Sequence, residues 1–144
     1  MVAVSVLPSL EEEFVTSGRV RFQFQPIAIL GAESELAAQA TECAGEQGSF
    51  WEFSDALFAG LASGDAEMSP AGLKRLAEGR VGDLAAFASC LDSGRYAAAV
   101  RAATDDARSA GINSVPAAFV NGKKVPATLD ALRAAIREEL DGGP

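Results

Sequence analysis

Histidine is absent from the 144 residues, and cysteine occurs only twice, as Cys43 and Cys90. The missing histidine excludes a Ser-His-Asp or Cys-His catalytic unit and the His-containing zinc sites. Two cysteines exclude a Cys₄ metal site, and their wide separation leaves no C-x-x-C anywhere in the sequence. No stretch approaches the roughly 18 apolar residues of a membrane span. No repeat with a period of about 20–50 residues is present. Basic residues are scarce: 12 Lys+Arg stand against 20 Asp+Glu, a net charge of −8 with no basic cluster. That balance argues against nucleic acid or an anionic membrane surface as partner. A hydrophobic content of 49% argues against disorder, and the length suits one ordinary domain with a core of its own.

The opening residues Met1–Leu10 have no basic segment, a short apolar stretch and no small-residue cleavage site, so they do not read as a signal peptide. The protein is then cytoplasmic, or a targeting segment lies outside this sequence, and localisation stays open. Met1–Val6 is apolar and valine-rich, and suits either a short strand or the start of a helix. Ser9, with Glu12 three residues later, has the form of a capping box for a helix that ends at Thr16-Ser17-Gly18.

Arg19–Gln25 alternates Val20, Phe22 and Phe24 with Arg19, Arg21, Gln23 and Gln25, which predicts a strand with one buried face, ended by Pro26. From about residue 33 to 110 the chain is alanine-rich and predicts helices over Glu33–Glu46, Ser49–Gly60, from Ser69-Pro70, Asp83–Leu91 and Ser93–Ala110. The short apolar run Val115–Val120, then Asn121-Gly122 and Lys123-Lys124-Val125, predicts a β-hairpin. A last helix follows over Leu129–Leu140, with Leu129, Leu132, Ile136 and Leu140 on one stripe. Phe50, Phe53, Leu57 and Phe58 share a helical face and read as core rather than as a peptide-binding surface. Glu11-Glu12-Glu13 reads as a solvated first turn rather than a metal site.

Strand–helix–strand, a helical block, a hairpin and a helix make an α/β layout with a mixed sheet. This layout resembles the DsbA-like branch of the thioredoxin fold. The resemblance is carried by Val6–Val15 (latter part of the first helix), Gly18–Pro26 (second strand), Cys43-Ala44-Gly45-Glu46-Gln47-Gly48-Ser49-Phe50-Trp51-Glu52 and Phe87–Tyr96 (two motifs of the helical insertion), and Gly111–Gly122 (the segment G-V-x-x-T-P-x-F-x-V-N-G). It extends over nearly everything from Val6 to Leu140. It implies one DsbA-like thioredoxin domain over 1–144 with a helical insertion over about 33–110.

By itself the Cys43/Cys90 pair is open to three readings: a redox pair, a structural disulfide, or two buried thiols. The resemblance implies the disulfide, clipping two helices of the insertion. It also implies a cis peptide bond at Val115–Pro116, with Val115 offering backbone groups to a substrate peptide. The departure lies in the chemistry. The family's dithiol would fall immediately before Met1 in an ungapped alignment, and no cysteine of this sequence occupies that position. Thiol–disulfide exchange needs an attacking thiolate beside a resolving partner.

The expected function is accordingly a redox-inactive binding or structural module that takes a protein or peptide client at the cis-Pro loop, with no metal and no cofactor. The alternative is a thiol:disulfide oxidoreductase that is N-terminally truncated or has a misassigned start. A small-molecule or metal binder is a third class, weakened by the missing ligands. Without the family's first strand the sheet has a gap. Met1–Val6 as an intrachain strand is the favoured filling, and a strand swapped within a homodimer is the competing one.

Overall fold

The structure is a computed structural model that describes residues 5–142. Packing of the backbone divides it into two compact units, one formed by the residues up to Phe24 together with those from Ser114 onward, the other by Gln25–Asn113.

In the first unit, α1 (Leu7–Leu10) runs without a break into a π-helical segment, Glu11–Val15. The spacing of Val6, Leu10 and Phe14 explains why: at i, i+4 and i+8 they form one stripe. All three are buried in a core with Leu132 and Ile136. Ser9 lies inside the helix, whose N-cap position is held by Val6 with no side-chain cap, so the capping box does not form. Gly18, at φ 73°, ends the segment as expected. Of the proposed strand Met1–Val6, the first four residues lie outside the described part. Ser5 is helical and Val6 sits at φ −100°, ψ −47°, so no strand is present there. The 6-10-14 stripe outweighs the valine content.

Arg19–Gln25 keeps its two-faced character, with Val20, Phe22 and Phe24 half-buried and Arg19, Arg21, Gln23 and Gln25 exposed. It is not a ladder strand. Among the described residues the sheet has two strands, β1 (Ala118–Val120) and β2 (Lys123–Val125). Alternation dictates which side chains are wet, but a ladder also requires a neighbouring strand. β1 and β2 pair antiparallel in the register Ala118↔Val125, Phe119↔Lys124, Val120↔Lys123. Asn121 (φ 46°) and Gly122 (φ 81°) take the two left-handed positions of the predicted turn. α7 (Leu129–Asp141) covers this hairpin with the stripe Leu129, Leu132, Ile136 and Leu140.

The second unit is the helical block: α2 (Ala32–Gly45), α3 (Phe50–Ser63), α4 (Pro70–Ala77), α5 (Leu84–Asp92) and α6 (Ala97–Ser109). Capping chemistry places two of its starts. Ser69 Oγ accepts from Gly72 N at 3.1 Å, with Pro70 at the first helical position, and Asp83 Oδ1 accepts from Ala86 N at 2.9 Å. The core holds Ala40, Ala44, Phe53, Leu73, Ala77 and Phe87, all fully buried. The rings of Phe53 and Phe87 lie 5.5 Å apart in a tilted contact. Small side chains on α2 let the other helices approach closely, which is why the alanine-rich sequence packs as a bundle.

Candidate functional site

Two places carry the chemistry of interest, one in each unit. The first is the loop before β1. The Val115–Pro116 peptide bond is cis. Val115 and Pro116 are exposed, the valine at 41% of its surface. Its backbone N–H and C=O make no backbone hydrogen bond among the described residues. Phe119 follows on the outer face of β1 with 48% of its surface exposed, because Ala118 and Val120 on either side are turned toward α7. Its cross-strand neighbour is Lys124, also exposed. The loop therefore offers a free backbone edge and apolar side chains to solvent. In strand addition generally, main-chain hydrogen bonds from such an edge give affinity and neighbouring side chains give specificity.

The hairpin that follows the loop is held firmly. Glu139 on α7 accepts from Lys123 Nζ at 2.6 Å and from Asn121 Nδ2 at 2.9 Å, and the lysine holds its carboxyl below the usual carboxylate range. On the other side of α7, Glu13 accepts from Arg133 Nε at 2.6 Å and also from Arg137. The Arg133 hydrogen bond lowers the Glu13 carboxyl in the same way. These pairs tie α7 to the hairpin turn on one side and to the π-helical segment on the other.

The second place is the cysteine pair. Cys43 on α2 and Cys90 on α5 form a disulfide, and neither sulfur-bearing side chain is more than 1% exposed. Around its rim, Glu46 accepts from Arg95 Nη1 at 2.7 Å and from the Tyr96 hydroxyl at 2.8 Å. Arg95 lowers the Glu46 carboxyl, and the bond to that carboxylate raises the tyrosine. Burial raises the neighbouring Glu42 carboxyl. Among the described residues no group of three or more His, Cys, Asp or Glu side chains forms a metal site. None of their helices is long and apolar enough to cross a membrane.

Sequence reasoning named Val115, Pro116, Cys43 and Cys90. It did not single out Phe119, although the alternation Ala118-Phe119-Val120 carries the signal. Nor did it see that Arg19 and Arg21, the wet face of the alternating segment, border a cleft with Val120 and Gly122.

A helical block inserted ahead of a cis-Pro loop, hairpin and final helix, and clipped by its own disulfide, defines a thioredoxin-type fold of the DsbA kind. The thioredoxin family model matches residues 2–138. The chain belongs to the thioredoxin family, in its DsbA-like branch. It is 30% identical over 142 residues to the probable disulfide bond formation protein D of Bacillus anthracis, covering 95% of this chain and 65% of that protein. The oxidised crystal structure of BdbD from Bacillus subtilis superposes with a TM-score of 0.87 at 27% identity, covering 98% of this chain and 80% of that one. A further match, 35% identical over 133 residues, is to the Na⁺/H⁺ antiporter NhaA 3 of Salinispora tropica, covering 90% of this chain. The chain spans a fifth of the antiporter's length and just under two-thirds of that of the Bacillus anthracis protein.

Proposed function

We propose that this chain is a client-binding module of the DsbA-like branch that performs no thiol–disulfide exchange by itself. The observation that carries the reading is the state of its cysteines. The two that the sequence holds are joined to each other and buried. Exchange requires a thiolate able to reach a disulfide sulfur, and a sealed structural pair supplies neither nucleophile nor access. What remains is the loop at Val115–Pro116, where the family's binding edge is retained and Phe119 adds an exposed apolar contact. The client is an extended or unfolded polypeptide, paired along the Val115 backbone. The match to a fifth of a protein named as an antiporter supports use of such a domain as a module of a longer chain.

In this reading residues 1–144 form one domain with a helical insertion over about 33–110, acting without metal or cofactor. A persistent disulfide favours an oxidising, extracytoplasmic setting.

A second reading is supported by the coverage figures. The chain spans 65% of the Bacillus anthracis protein and 80% of the solved BdbD chain, which leaves room for a dithiol on a segment outside these residues. Binding of a reduced, alkylated unfolded protein, whose own cysteines are blocked, tests the module reading. Val115→Asp places a charge at the loop's exposed apolar residue and weakens binding. Absence of binding, or equal binding by wild type, Val115→Asp and Phe119→Asp, overturns it.

A further inference from the structure

Gln39 lies midway along α2 with 5% of its surface exposed, and its carboxamide forms no hydrogen bond among the described residues. Thr41 and Thr104 are equally buried, and both are paired, donating to Ala37 O at 2.9 Å and to Val100 O at 2.7 Å. Ser54 is the other buried polar side chain without such a bond, and it does not line the cleft that Gln39 lines. A carboxamide has two N–H donors and an acceptor oxygen, so leaving it unanswered in a buried position is costly. The cleft that Gln39 lines has a volume of about 440 Å³, between α2, the end of α5 and the start of α6, and all its lining residues belong to the second unit. Gly94 lines it too, and a Cβ added there would stand 3.8 Å from Gln39 Oε1, so the amide is turned into this space. The apolar lining is Ala32, Leu36, Leu91 and Ala97. The charges at its border are already matched, Glu35 with Arg101 at 2.8 Å and Asp92 with Lys74 at 2.6 Å. The unanswered group is therefore neutral. No aromatic side chain among the described residues lines the cleft, so it has no stacking platform for a nucleobase.

The same bundle contains a glutamine whose amide is answered. Gln47 donates from Nε2 to Asp83 O at 2.9 Å and accepts from Asp83 N at 2.7 Å. Asp83 is extended, at φ −128° and ψ 98°. In an extended residue the N–H and C=O point to the same side, so one partner can exchange two hydrogen bonds with it. We propose that the Gln39 cleft receives an extended segment of a partner polypeptide, and that Gln39 pairs with the N–H and C=O of one of its residues as Gln47 pairs with Asp83. The segment carries small, uncharged side chains, because the lining is alanine and leucine and the border charges are committed to each other. Recognition is of the backbone, with the side chains limited by size and polarity. The cleft lies within the helical block, and its occupation does not depend on the client reading given for the Val115 loop.

The test is a nuclear magnetic resonance titration of the full chain labelled with ¹⁵N only at glutamine. Four side-chain amides report, those of Gln23, Gln25, Gln39 and Gln47, and that of Gln39 is identified by its loss in Gln39→Met. The probe is a short oligoalanine capped by acetyl and N-methylamide groups, which offers backbone amides and small apolar side chains alone. It shifts the Gln39 amide to saturation. The same peptide N-methylated at every alanine keeps the apolar surface without the donors, and binds at least about fivefold more weakly. Gln39→Met, close to glutamine in length and shape, abolishes the peptide's binding. Its urea midpoint equals or exceeds that of wild type, because no hydrogen-bond partner is orphaned by the change. No shift at Gln39, or equal binding of the N-methylated peptide, overturns the proposal. A lowered midpoint in Gln39→Met does so too, by making the amide part of the folded scaffold. Propionamide or adenine saturating the Gln39 shift at the concentration the peptide needs would overturn it in favour of a side-chain amide or a base. Binding that moves other resonances and leaves Gln39 still would place the peptide elsewhere, overturning this proposal without touching the reading of the Val115 loop.

Discussion

Replacing both cysteines, as Cys43→Ala/Cys90→Ala, tests the disulfide's role in the helical block directly. The cross-link spans 47 residues of sequence. In the chain-entropy treatment, closing a loop of that length in the unfolded state stabilises the native state by about 4 kcal/mol. That is a large share of the roughly 5–15 kcal/mol by which domains are stable. The packing around the bridge survives its loss, since Ala40, Ala44, Phe53 and Phe87 remain fully buried among one another. The variant therefore folds in buffer but unfolds early. With an m-value of about 2 kcal/mol per molar urea, the midpoint drops by about 2 M. Trp51 provides the assay: it is the sole tryptophan, lies on α3 in the same unit, and stacks edge-on against Phe50 at 5.3 Å. Its fluorescence reports unfolding of the block that the disulfide clips. A midpoint shift below about 0.5 M would refute the entropic argument, because less than about 1 kcal/mol would then be attributable to the bridge.

Gly72→Ala should destabilise the same block by about 1–3 kcal/mol in the same urea assay, because an added Cβ would sit 2.2 Å from the Glu67 carbonyl oxygen; an unchanged midpoint would contradict this. The Glu13 carboxyl is depressed by Arg133, so its contribution to stability is present above its ordinary value of 4.5 and is lost as pH falls through the lower folded value. Melting temperatures of wild type and Glu13→Gln should accordingly differ at pH 6 and converge toward pH 3, whereas a constant gap would count against the pair. Tyr96 is the single tyrosine, and its hydrogen bond to Glu46 places its ultraviolet titration midpoint above 10. Glu46→Gln should bring that midpoint back toward 10, and no movement would remove Glu46 as the cause.

The helical block was largely legible because its signals are local. Ser69-Pro70 and Asp83 cap the helices they precede, and the glycines end others, so each boundary is written within a few residues. The hairpin was legible for the same reason, Asn121-Gly122 taking the two left-handed positions. Arg19–Gln25 was half legible: its wet and dry faces are correct, but strand status depends on a neighbour that alternation does not encode. At Ser5–Val6, valine content suggested a strand, while the spacing of Val6, Leu10 and Phe14 held the helical answer. The Cys43–Cys90 bridge joins residues that only the folded bundle brings together, and resemblance to a family pointed to it where spacing could not. The exposure of Phe119 follows from the hairpin register, which the turn fixes but the composition does not reveal.

The central claim is that this chain binds through an exposed loop and carries no exchangeable thiol chemistry. Turbidimetric reduction of insulin by the 144-residue chain in the presence of dithiothreitol tests it most directly, run beside an intact dithiol-bearing relative. The account predicts a rate equal to dithiothreitol alone, unchanged in Cys43→Ala/Cys90→Ala, because the buried pair is out of reach of insulin. Catalytic turnover by the wild-type chain that disappears in the double variant would contradict it.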